Sequence, residues 1–101
     1  MSEKLVEKII HKDIHFATII RANLAPNGLS FLTEDENFIQ VGIWNYEKGK
    51  RLETHYHNTF DRNATKTNES VYVVSGVIKC NLYYENGEFA SSHIIKEGEM
   101  I

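Results

Sequence analysis

The sequence is poor in several residue types that would mark it as a particular kind of protein. It has one cysteine and one proline among its 101 residues. One thiol cannot form an intrachain disulfide, which excludes a small disulfide-stapled scaffold and agrees with a reducing compartment. No apolar run approaches the roughly 18 residues that span a bilayer, and the first residues lack the apolar core of a secretory signal. We therefore expect a cytoplasmic protein with no membrane partner.

Basic residues are also too few for a nucleic-acid surface. The chain has 11 Lys and Arg against 14 Asp and Glu, which gives a formal net charge of −3. Because phosphate backbones are held chiefly by clustered Lys and Arg, we do not expect a nucleic-acid partner. The one basic cluster contains Lys48, Lys50 and Arg51, and the glycine inside it predicts a short surface turn.

The length of 101 residues predicts a single domain, 1–101, near the low end of what one core supports. The chain is a series of short segments rich in β-branched and aromatic residues, separated by polar turns, which is typical of an antiparallel sandwich or barrel. The apolar residues of segment 2–12 are spaced for either a helix or a strand. Strands are predicted at 14–22, 29–32, 38–46, 69–74, 77–84 and 89–95.

The strongest hairpin signal is Asn86-Gly87, because this pair tolerates the positive φ angles of a type I′ turn. A two-residue turn there pairs Tyr84 with Phe89 and puts one set of side chains on a common face. The set is Ile78, Cys80, Leu82, Phe89, Ser91, His93 and Ile95. On this face Cys80 is predicted to be a small packing residue rather than a nucleophile, and His93 a hydrogen-bonded packing residue rather than a ligand.

The alternation of side chains along a strand predicts which residues enter the core. In 38–46 the aliphatic residues are expected to lie between the sheets, namely Ile39, Val41 and Ile43. Arg21, at the end of 14–22, is expected to point outward or into the mouth of a barrel. His11 and His15 lie outside any spacing motif and are expected at the surface.

The pattern that points most clearly to chemistry is His55-Tyr-His57. The β-branched and aromatic residues around it predict a strand here. Side chains two residues apart in a strand point to the same face, so both imidazoles project into one space. Glu69 opens the next apolar run, and a hairpin would bring its carboxylate near the imidazoles. Two neutral imidazoles and one carboxylate suit a divalent transition metal. The alternative is a solvated strand pair, because a His-x-His pattern also arises by chance.

The same residues match the first motif of the cupin family in their spacing. Gly49 is followed after five residues by His-x-His, and Glu69 is followed after six residues by Gly76. Over nearly its whole length the sequence resembles small bacterial cupins, some of which are linked to surface-sugar pathways. It departs from the family in the eleven residues between His57 and Glu69, a gap that is longer than the family's.

The resemblance implies an all-β, cupin-type antiparallel jelly-roll barrel or sandwich. It also implies a divalent transition metal, such as Zn, Fe, Mn or Ni, held by His55, His57 and Glu69. The second motif of cupins begins at a glycine that matches Gly98 and supplies a further imidazole. Because the sequence stops at Ile101, we expect the fold to be incomplete at its C-terminus. An open sheet edge favours pairing with another chain, so we expect a homodimer.

The polar stretch 58–68 is expected to be a loop over the mouth of the pocket. Arg62 and Lys66 would then contact an anionic substrate, whereas the alternative is that their charges only solvate a surface loop. Tyr72, in the run that follows Glu69, is a further candidate for substrate binding.

Three functions from different classes fit these residues. The first is a metal-dependent enzyme that acts on a small polar metabolite, such as a sugar derivative. The second is a non-catalytic sugar or nucleotide-sugar binding or regulatory module whose metal is structural or absent, and the third is a structural protein with a vestigial site. The sequence offers no second acid–base pair unless Tyr46, Tyr56 or Tyr72 turns inward, which favours binding over catalysis. The fold alone does not choose a reaction.

Overall fold

The computed structural model of the chain describes residues 3–34, 37–51, 53, 55, 57, 59, 61, 65 and 68–101. The regular structure of these residues is antiparallel β-sheet, which confirms the all-β class. The strands are β1 (Val6–His11), β2 (Ile14–Arg21), β3 (Gly28–Phe31), β4 (Gly42–Asn45), β5 (Val77–Tyr83), β6 (Phe89–Lys96) and β7 (Glu99–Met100). One 3₁₀ helix covers Ala22–Leu24. The described strands form three sheets, ordered β1-β2-β7, β3-β4 and β5-β6, and they do not close into a barrel.

The chain divides into two compact units. The first contains Met1–Leu24 and Glu69–Ile101, and therefore β1, β2 and β5 to β7. The second is Ala25–Asn68, with β3 and β4. In the described part of the chain, no helix has the length and apolarity required to cross a membrane.

Within segment 2–12, which fitted a helix or a strand, residues Val6–His11 form strand β1 and pair with β2. Its β-branched valine and isoleucines favour the extended backbone. The two strands are joined by Lys12 and Asp13, whose φ angles are 50° and 62°. Positive φ at both central residues is the pattern of a type I′ turn, whose twist matches that of the strands it connects.

A small apolar core holds the first unit together. Its buried members come from both sheets and from the segment before β5, and they are Ile9, Ile19, Val73 and Ile95. Burial of each such aliphatic side chain contributes roughly 1.5–3 kcal/mol. The half-buried residues packed against this core are Phe16, Ala17, Cys80, Leu82 and Ile101. The prediction that Cys80 is a packing residue is therefore confirmed.

The β5–β6 hairpin forms as predicted, but its turn is not type I′. Asn86 has no positive φ, whereas Gly87 has a φ of 92°. Tyr84 exchanges hydrogen bonds with Gly87 and Glu88, each of 2.9 Å, so the loop has three residues and ends in a glycine bulge. The ladder shifts between Leu82 and Tyr83.

The shift changes the partner of Phe89. It lies opposite Tyr83 instead of Tyr84, and the two exposed rings stand 5.8 Å apart between centroids. The predicted Tyr84–Phe89 pair is therefore wrong, and so is the prediction that Phe89 shares a face with the rest of that set. The remaining residues of that face keep their alternation, because Cys80 is opposite His93.

The last strand, β7, has two residues, Glu99–Met100. β7 pairs with β2. Segment 71–73 also pairs with the last residues of the chain: Val71 N donates to Ile101 O at 2.9 Å, and Val73 N donates to Glu99 O at 3.0 Å. The predicted strand 69–74 is reduced to one isolated bridge, Tyr72 to Met100.

The second unit contains a short hairpin of β3 and β4, which pair along their full lengths. The predicted strand 38–46 is limited to Gly42–Asn45. Ile39 precedes the strand and is 66% exposed. The prediction that Ile39 lies in the core is therefore wrong. Val41 and Ile43 are half-buried.

Candidate metal centre

The two histidines of the His-x-His motif stand close together. The ring centroids of His55 and His57 are 5.4 Å apart, and their planes meet at 71°. With metal–nitrogen bonds of about 2.0–2.1 Å, two imidazoles on one ion have centroids roughly 5 Å apart, so this separation fits a shared ion. Both residues are exposed and neither lies in a strand. The predicted strand at these two positions is therefore wrong, although the rings are neighbours.

The orientation of His55 suits a ligand. Its Nδ1 lies 3.3 Å from the carbonyl oxygen of Glu53. A carbonyl oxygen only accepts, so Nδ1 carries the proton in this arrangement and Nε2 presents its lone pair. Histidines that bind metals usually donate their second ring N–H to a carbonyl or carboxylate in this way, which fixes the tautomer.

Glu69, the third expected ligand, belongs to a different unit. It is exposed and starts the second segment of the first unit, whereas the histidine pair belongs to the second unit. Among the described residues, no group of three or more His, Cys, Asp or Glu could hold a metal ion. The structure thus brings together two of the three expected ligands, and the role of Glu69 stays a prediction.

The expected substrate-binding residues are Arg62, Lys66 and Tyr72. Arg62 and Lys66 lie outside the described residues. Tyr72 is described, is 54% exposed and bridges to Met100 in the first unit.

A charged cluster that the sequence did not reveal surrounds Arg21 at the end of β2. Its side chain is 11% exposed and lies near three carboxylates, Glu3 at 3.4 Å, Glu7 at 2.8 Å and Glu99 at 3.3 Å. Among the described residues, Arg21 Nε is buried without a hydrogen-bond partner, so its two contacts with Glu3 and Glu99 are charge contacts. Arg21 therefore points neither outward nor into a barrel mouth; it joins β1, β2 and β7.

Two further histidines converge on Ser91. Its Oγ lies 2.9 Å from His11 Nε2 and 2.8 Å from His93 Nε2. A hydroxyl has one proton, so with neutral rings it donates to one nitrogen and accepts from the N–H of the other. The prediction of a hydrogen-bonded His93 is confirmed, and so is an exposed His15. His11 is half-buried rather than at the surface.

No family model, curated protein or solved structure matches this chain. The likeness to cupins therefore rests on the residues and their spacing alone.

Proposed function

We propose that this chain binds a divalent transition-metal ion through His55 and His57, with Glu69 as the third ligand, and that the ion holds a small polar metabolite. The observation that carries the proposal is the separation of 5.4 Å between the two imidazoles. The bond from His55 Nδ1 to the Glu53 carbonyl adds support, because it leaves Nε2 for the ion.

The three proposed metal ligands explain why we expect the ion to bind a polar metabolite. Two imidazoles and one carboxylate leave coordination positions for water or for the oxygens of a ligand. A bound divalent ion would supply Lewis acidity to a carbonyl or hydroxyl oxygen. Sugars and their derivatives present such oxygens in pairs. The cupin resemblance supports the same class of ligand, and the separate antiparallel sheets are compatible with a jelly-roll frame.

Elemental analysis of protein purified without added metal tests the first half of the proposal. We expect close to one ion per chain in the wild type and a large loss in the His55→Ala, His57→Ala variant. His15→Ala is the matched control, because it removes one exposed imidazole outside the motif. Equal metal content in all three proteins would mean that the motif is not the site.

Turnover separates a metal-dependent enzyme from a binding module. The protein loaded with Fe(II), Mn(II) or Zn(II) is incubated with a panel of sugars and sugar derivatives, and both binding and consumption are measured. An enzyme consumes its substrate in a metal-dependent manner. A module binds its ligand, consumes none, and loses binding in the His55→Ala, His57→Ala variant.

A further inference from the structure

A cleft of about 650 Å³ lies at one end of the β3–β4 hairpin in the second unit. This volume falls in the range of roughly 300–1,000 Å³ typical of small-ligand sites. It is lined by Asn45 and Tyr46 at the end of β4 and by Asn27 just before β3. Asn45 Nδ2 donates to Ala25 O at 3.1 Å, which fixes the plane of its amide. The cleft therefore presents two amides and an aromatic ring from neighbouring chain segments.

Two residues of the basic cluster noted in the sequence, Lys48 and Lys50, also line the cleft. The backbone turns where Lys50 N donates to Glu47 O at 3.3 Å. Gly49 adopts a φ of 96° inside this turn, a conformation that glycine reaches without steric cost. The turn places both Lys48 and Lys50 at the cleft.

The charge of the cleft is opposite to that of the protein. Its charged lining residues are Lys48, Lys50 and Glu47, which together carry two positive charges and one negative charge. The whole chain carries a formal charge of −3. A local positive site on a negative chain suits a small anion and not a polyanion, which needs an extended basic surface.

One of the two cations is held in place by an aromatic ring. Lys50 Nζ lies 5.4 Å from the centroid of the Tyr46 ring, within the range of a cation–π contact. A held ammonium group loses less conformational entropy on binding an anion than a free one. Tyr46 and the two asparagines add hydroxyl and amide groups that can bind the hydroxyls of a ligand.

We propose that this cleft is a binding site for a phosphate monoester of a small hydroxylated metabolite, with the phosphate on Lys48 and Lys50 and the hydroxyls on Asn27, Asn45 and Tyr46. Lysine ammonium groups bind phosphate as point charges, which suits an open site. This site involves neither the metal ion nor Glu69, so the phosphate proposal can be tested separately from the proposed metal centre.

The test is a titration of the full chain with glucose 1-phosphate in the presence of EDTA, followed by amide chemical shifts. We expect saturation with a Kd on the order of 1 mM, and shifts concentrated at Gly28 and residues 45–50. Glucose without its phosphate is expected to bind much more weakly. Absence of saturation up to about 20 mM, or shifts concentrated elsewhere in the chain, would overturn the proposal.

Two double variants test the role of charge. Lys48→Gln, Lys50→Gln is expected to weaken binding about tenfold, because two exposed charge contacts are lost. Lys4→Gln, Lys79→Gln is the matched control: it removes the same net charge from two exposed positions of the other unit and should bind as the wild type does. Equal weakening in both would show that only net charge matters, and the proposal would fail. Weakening by His55→Ala, His57→Ala would place the phosphate at the histidine pair and would also overturn it.

Discussion

Arg21 on β2 and Glu99 on β7 are cross-strand partners that are both buried, and Arg21 Nε lies 3.3 Å from Glu99 Oε2. Glu99 Oε1 also accepts a hydrogen bond of 2.8 Å from the backbone N of Lys96. Because two charges are removed from water here, each depends on the other to offset the cost of desolvation. The pair connects the last strand of the chain to the sheet built from its first residues.

The first prediction concerns this pair. Arg21→Met is expected to destabilise the protein by about 3–5 kcal/mol, because Glu99 then stays buried without its cation. Lys96→Met is the matched control, because it removes an exposed cation that lies 3.4 Å from Glu3 and should cost less than about 1 kcal/mol. Both are measured by chemical denaturation. Equal costs for the two variants would contradict the claim that burial makes the Arg21 pair important.

The second prediction concerns the hydroxyl shared by His11 and His93. Ser91→Ala leaves two half-buried imidazole nitrogens without this partner and should cost about 1–3 kcal/mol. The matched control is Ser92→Ala. Ser92 is the next residue on the same strand, and its exposed hydroxyl donates to Asn81 Oδ1. It should cost less than about 1 kcal/mol. A Ser92 variant as unstable as the Ser91 variant would show that the shared contact is not important.

The third prediction concerns the first hairpin turn. Asp13→Gly should stabilise the protein by about 0.5–1 kcal/mol, because a non-glycine residue at a φ of 62° carries backbone strain. Lys12→Gly relieves similar strain but loses the contact of Lys12 Nζ with the Tyr84 ring, 4.9 Å away. Its gain in melting temperature should therefore be the smaller of the two, and the opposite order would refute the explanation.

The fourth prediction concerns self-association. The outer face of the β5–β6 hairpin exposes four large apolar side chains, Val77, Tyr83, Phe89 and Ile94. Burial of this face against a second copy would remove it from water. We expect a dimer by sedimentation at micromolar concentration, and a monomer for Ile94→Lys. Ile14→Lys, at a similarly exposed position on β2, should stay dimeric; a monomeric wild type would rule out the homodimer.

Much of the β-structure could be predicted because β-branched residues favour extended backbone wherever they occur. The ionic partners of Arg21 could not be predicted from the sequence. Glu3 and Glu7 lie on either side of Leu5, whose carbonyl oxygen accepts from Arg21 N, so their position depends on the register of β1 against β2. Glu99 lies in a strand of two residues, which is too short to show any period.

The histidine pair was predictable for a local reason. Side chains two residues apart share a side in any extended segment, so the closeness of His55 and His57 does not require the rest of the fold. The position of Glu69 depends on the path of the eleven residues before it, and a polar stretch without a period does not specify a path. The predicted turn of the β5–β6 hairpin was wrong for a related reason, because Asn-Gly is compatible with two-residue and three-residue turns alike.

The fifth prediction tests the metal site most directly, by calorimetric titration of zinc into the wild-type protein at pH 7.5 and pH 5.5. An imidazole must be deprotonated to bind a metal, so affinity for the metal is lost as protonation of the rings increases at lower pH. With two imidazoles as ligands, both rings must be deprotonated in the complex, so zinc binding should be clearly weaker at pH 5.5 than at pH 7.5. The His55→Ala, His57→Ala variant should lose most of the affinity at pH 7.5, and Glu69→Gln should lose a smaller part. A zinc affinity that is the same at both pH values, or that survives in the double histidine variant, would contradict the proposed metal centre.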